Sequence, residues 1–102
     1  MPTLHTVRKS PFERNALASC LRVAQPGAAV LLIEDGVYAA LRNTQIAEQI
    51  SKAMETVSFY ALAPDLQARG YELNEVIDGV QIVDYDGFVD LVATYGRVQA
   101  WP

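Results

Sequence analysis

Ala28-Ala29-Val30-Leu31-Leu32-Ile33 is the longest uninterrupted apolar run in the chain, set between Pro26-Gly27 and Glu34-Asp35-Gly36. A strand covered on one face alternates apolar and polar side chains, whereas a strand covered by helices on both faces is apolar throughout. Residues 28–33 are therefore predicted to form a central strand, closed by the turn residues on either side.

Upstream, Leu4 to Val7 is a short β-prone run. Ser10-Pro11-Phe12-Glu13 follows with a helix-start signature: Ser10 can cap, Pro11 suits the first helical position, and Glu13 can close a capping box. The helix is expected to reach about Ala24, with Leu17, Cys20, Leu21 and Ala24 on one face, and Gln25-Pro26-Gly27 stops it. Downstream, Val37 to Leu41 reads as a short helical turn and Gln45 to Thr56 as an amphipathic helix, with Asn43 and Thr44 as start signals. Ser58 to Leu62 is a third strand. Pro64 to Gly70 is a short helix opened near its proline and ended by glycine. Val80 to Val83 is a fourth strand, Tyr85 to Tyr95 a helix offering Phe88, Val89, Leu91 and Val92 to the core, and Val98 to Trp101 a last strand. Helices separate successive strands, and no hairpin signal such as Asn-Gly joins two of them. The predicted fold is a three-layer α/β/α arrangement with a mostly parallel sheet of about five strands, joined by right-handed crossovers. At 102 residues the chain is expected to form a single domain over 1–102.

Composition narrows the function classes. The formal net charge is −4, and the longest cationic cluster is Arg8-Lys9, which argues against direct contact with nucleic acid or an anionic membrane. The apolar run is far short of the roughly 18 residues a membrane span needs, and the N-terminus lacks a signal-peptide pattern, so the cytoplasm is the expected location. One cysteine and one histidine provide no internal disulfide and no thiolate metal site; neither a metal nor a cofactor is expected.

In an open parallel sheet, ligands gather beyond the carboxyl ends of the strands, here the loops that begin at Arg8, Glu34, Ala63 and Asp84. None carries a dinucleotide or phosphate fingerprint. Arg8-Lys9 at a helix start can hold an anion on free backbone amides, or can simply belong to a solvated, capped helix end. Glu34, Asp35, Asp65, Asp84 and Asp86 invite comparison with an acidic metal or phospho-acceptor pocket; as caps of following helices they need no ligand. His5, inside the first strand, is either a proton donor or a packed, hydrogen-bonded ring. Cys20 is the one candidate covalent nucleophile, and an independent thiol enzyme would pair it with His5 as base. Its helical neighbours Ala16, Leu17, Val23 and Ala24 supply no cation and no helix N-terminus to acidify the thiol, which favours an inert, buried residue.

Several segments together carry a family resemblance. They are Leu4-His5-Thr6-Val7 with Lys9-Ser10-Pro11, Leu31-Leu32-Ile33-Glu34-Asp35-Gly36-Val37-Tyr38-Ala39-Ala40, Tyr60-Ala61-Leu62 with Pro64-Asp65-Leu66 and Ala68-Arg69-Gly70, Val83-Asp84-Tyr85-Asp86-Gly87-Phe88-Val89-Asp90-Leu91, and Gln99-Ala100-Trp101. In this order, along the whole chain, they resemble the DsrH/TusB family, and DsrH most. The resemblance implies an accessory subunit of a sulfurtransferase heterohexamer, joined to DsrE-like and DsrF-like sister chains and serving a downstream sulfur-acceptor protein. It implies that the main persulfide cysteine belongs to the DsrE-like sister. A cysteine at position 20 is typical of the branch that serves dissimilatory sulfur oxidation, which becomes the expected role, with Cys20 as a candidate persulfide carrier. The alternative branch relays sulfur toward tRNA wobble-uridine thiolation. The residues themselves add a motive for assembly: five tyrosines and Trp101 in so short a chain give more apolar surface than one small core hides.

Overall fold

A computed structural model describes residues 2–102. The strands are β1 (Leu4–Val7), β2 (Ala29–Leu32), β3 (Ser58–Leu62), β4 (Gln81–Val83) and β5 (Val98–Trp101). They form one sheet in the order β4-β3-β2-β1-β5, and every pairing is parallel. The apolar run does become an interior strand. β2 lies between β1 and β3, with Leu31 in register with Thr6 on one side and Tyr60 on the other, and all four of its residues are buried.

The helices are α1 (Ala16–Val23), α2 (Ala47–Ala53), α3 (Ala63–Ala68) and α4 (Tyr85–Tyr95). The steps from β1 through β4 move in one direction across the sheet, so right-handed crossovers place α1, α2 and α3 on one face. The last connection returns over the sheet to β5 and puts α4 on the other. Side-chain alternation along the strands feeds both layers. Val7, Val30, Leu32, Phe59 and Ala61 pack with Leu17, Cys20, Ile50 and Leu66 on the first face. Leu4, Ala29 and Leu31 meet Phe88, Leu91 and Tyr95 on the second. The three-layer expectation holds, with unequal layers: three helices on one side and one on the other.

Several boundaries differ from the sequence reading. The capping box at Ser10 does not form. The Ser10 hydroxyl accepts from the Phe12 amide at 3.2 Å, and its carbonyl accepts from Glu13 and Arg14, closing a turn in place of a helix start. A serine hydroxyl bonded two residues along the backbone is unavailable to the amide three residues along, so α1 begins only at Ala16. The second helix is shorter than 45–56 at both ends: Asn43 takes a left-handed φ of 63° ahead of it, and beyond Ala53 the chain tightens into turns in which Glu55 and Thr56 donate to the carbonyls of Lys52 and Ala53. Where a short turn over 37–41 is predicted, a 3-10 helix covers Glu34–Ala40, and a second one, Leu73–Glu75, has no counterpart in the sequence reading. β4 begins at Gln81, one residue later than predicted. Val89 and Val92, predicted for the core, are 67% and 38% exposed: α4 turns Phe88, Leu91 and Tyr95 to the sheet instead.

Candidate functional site

The carboxyl ends of β2 and β3 bring three of the predicted acids together. Glu34, just after β2, takes a left-handed φ of 50°, and its amide donates at 2.6 Å to the carboxylate of Asp65 in the first turn of α3. Asp35 accepts from Arg69 Nε at 3.0 Å and Nη2 at 2.8 Å, while Arg69 Nη1 donates to the Asp65 carbonyl at 3.0 Å. The same guanidinium lies 6.0 Å from the Tyr38 ring centroid, and Tyr38 meets Tyr71 edge-on at 6.0 Å. The hydrogen bond to Asp35 raises the already high Arg69 pKa, so the cation is permanent. The sequence reading missed Arg69, although its place four residues after Asp65 in a short helix was a usable signal.

These contacts latch the loop after β2 to the helix after β3, and they engage the carboxylates of Asp35 and Asp65, while Glu34 takes part through its main-chain amide. Asp84 stands apart: it caps α4, accepting from the Gly87 amide at 2.8 Å, with Asp86 exposed in the same first turn. Among the described residues no group of three or more His, Cys, Asp or Glu side chains is placed to hold a metal. Arg8 and Lys9 precede α1 by a full turn of extra chain, so the helix amides that would complete an anion site are not beside them.

Cys20 and His5 are not joined either. Cys20 is fully buried under the sheet, and burial pushes its thiol pKa up to about 12. His5 is also buried, and its Nδ1 accepts from Trp101 Nε1 at 3.1 Å, the rings tilted at 42°. A base engaged by an indole and a thiol held un-ionised do not make a nucleophile–base pair.

Burial also lowers the His5 pKa below its usual 6.5. The unfolded chain thus takes up a proton before the folded one, so the stability from neutral His5 is complete above about pH 6.5 and falls as pH drops through the folded value. Protonation at Nδ1 also removes the acceptor for Trp101. Acidification from neutral pH to about pH 5 is expected to lower Tm and shift Trp101 fluorescence. Both responses should shrink in His5→Gln, and an unchanged acid slope in that variant would refute the assignment.

The model of the family described as DsrH like protein matches residues 9–98. The chain belongs to the DsrH/TusB family. Relatives named Protein TusB include those of Erwinia tasmaniensis, 38% identical, and Pectobacterium parmentieri, 35% identical, each over 98 residues covering 96% of this chain and 99% of the relative. The Escherichia coli K12 protein of that name is 34% identical over the same span. Among solved structures, the ychN protein of E. coli superposes with a TM-score of 0.81 at 20% identity, covering 99% of this chain and all of that one. MTH1491 of Methanobacterium thermoautotrophicum, titled a protein of unknown function, gives 0.75 at 20% identity over 96% of both chains. These two likenesses establish the fold. In this DsrH/TusB chain, then, Asp35 and Asp65 are tied into a latch, the lone thiol is buried, and no described helix is long and apolar enough to cross a membrane.

Proposed function

We propose that this chain is an accessory subunit of a cytoplasmic sulfur-relay complex, in the branch that passes sulfur toward tRNA wobble-uridine thiolation, and that a sister chain carries the reactive persulfide. The observation behind this reading is α4. It is the one helix over its face of the sheet, none of its residues is fully buried, and it turns Tyr85, Val89 and Val92 outward at 60%, 67% and 38% exposure. Residues spaced by four and three share one helix face, so they make a continuous apolar stripe of the kind a subunit interface covers. Relatives named TusB at 34–38% identity favour the tRNA branch. The argument for sulfur oxidation rested on Cys20, and a thiol enclosed between α1 and the sheet is better suited to packing than to exchange with another protein. A persulfide on Cys20 would require α1 to move off the sheet.

The test is purification of the tagged chain at its natural level from its own cell, with native mass spectrometry reading both stoichiometry and added sulfur mass on each chain. Related small α/β relay chains are expected to co-purify, with sulfur on a sister. Val89→Glu should release them without lowering Tm. Recovery of the wild-type chain only as a stable monomer, or added sulfur only on Cys20, would overturn the proposal.

A further inference from the structure

At the end of the sheet opposite the strand-end acids, a cleft of about 210 Å3 opens among the amino ends of β1, β2 and β5. His5 is in its wall, with Gln25, Arg97 and Gln99 around it. The Trp101 contact decides what His5 offers there. An indole N–H can only donate, so Nδ1 must be the bare nitrogen and the proton of the neutral ring sits on Nε2. Nε2 has no protein partner among the described residues. It is not sealed either, because Thr44 Oγ1 is the one side-chain polar atom that is both fully buried and unpartnered among them. The Nε2–H of His5 is therefore a free donor that is not fully buried, on a residue that lines this cleft.

The lining adds a second asymmetry. The chain has 12 acidic residues against 8 basic ones, yet among the described residues no Asp or Glu lines this cleft, while Arg97, Gln25 and Gln99 do. N–H donors beside a cation, without a competing carboxylate, favour an oxygen anion. The volume suits a small molecule of roughly ten heavy atoms or the end of a longer group.

We propose that this cleft binds a small carboxylate, one oxygen accepting from His5 Nε2–H and Arg97 supplying the opposite charge. Trp101 is a positioning residue, since it fixes the tautomer that makes His5 a donor on the cleft side. The carboxylate can be free or can belong to a peptide, and the experiment separates these sources.

The full-length chain, labelled with 15N, is titrated at neutral pH with sodium acetate, with sodium chloride at matched ionic strength, and with a short peptide bearing a free or an amidated carboxyl terminus. The readouts are the His5 imidazole nitrogens and the Trp101 indole N–H. Acetate or the free-carboxyl peptide should shift His5 Nε2 saturably, and chloride and the amidated peptide should not. Whichever binds more tightly identifies the source. Arg97→Gln, at an exposed position where only the main-chain carbonyl is used in the fold, should weaken binding roughly tenfold. Trp101→Phe should show a second His5 tautomer and weaker binding. A linear response common to acetate and chloride, or equal affinity in wild type and Arg97→Gln, would overturn the assignment.

Discussion

Gly36→Ala is expected to destabilise the chain by about 3 kcal/mol, lowering Tm by roughly 15 °C for a domain of this size. The cause is steric. A β-carbon on Gly36 would fall on the carbonyl oxygen of Val7, with the Val7 carbonyl carbon 2.9 Å away. Both obstacles are backbone atoms of β1. That carbonyl also accepts from the Ile33 amide at 3.0 Å, so β1 cannot retreat without breaking a bond to the segment that carries Gly36. Gly70 is the internal control. It has a φ of 80°, but a β-carbon there meets nothing within 4 Å, so Gly70→Ala bears only the left-handed backbone cost of about 1 kcal/mol. Equal losses in the two variants, measured by thermal melts, would rule out the close approach. Because Glu34 and Asp35 start the same 3-10 segment, Gly36→Ala should also loosen the latch to Asp65 and Arg69.

Native Cys20 is expected to react with iodoacetamide about a thousandfold more slowly than the same residue in urea at neutral pH. A thiol pKa moved from 9.0 to about 12 cuts the thiolate fraction by that factor, and complete burial slows access further. The same shift predicts a pH dependence. The folded value lies above the unfolded one, so the contribution of Cys20 is complete below about pH 9 and is lost as the pH rises toward about 12, where the unfolded chain ionises first. Cys20→Ala should lack this alkaline component and still recover its partners, as a packing residue would. Cys20→Ser should cost about 1–3 kcal/mol for an unpartnered hydroxyl in the core. Native labelling at the unfolded rate would instead place Cys20 among reactive thiols and revive the carrier reading.

Much of the architecture was legible because local chemistry and global layering agree. The unbroken run from Ala28 to Ile33 implied a strand with cover on both faces, and Gly96, at φ 69°, ends α4 where predicted. The misreadings fall where one residue has two local options of similar energy. Ser10 could cap a helix or close a turn, and it closes a turn. Asn43 could start α2 or take the left-handed region, and it takes the latter. Val89 and Val92 were assigned inward because an apolar residue on a helix is taken for core when nothing says which other chain lies outside.

By itself the sequence determined the strand set, the parallel order implied by alternating helices, and the family, since each depends on patterns that neighbouring residues carry alone. Tertiary structure alone decided which side chains meet. Glu34 and Asp65 are 31 residues apart in the chain and His5 and Trp101 are 96, so no spacing rule joins them. They touch because parallel pairing sets β3 beside β2, bringing the segments after both strands to one edge of the sheet, and β5 beside β1, where Trp101, in register with Val7, reaches His5 two residues away on the same face. The sheet order also left one face to α4 alone, and that unequal cover is the physical reason its apolar stripe faces outward.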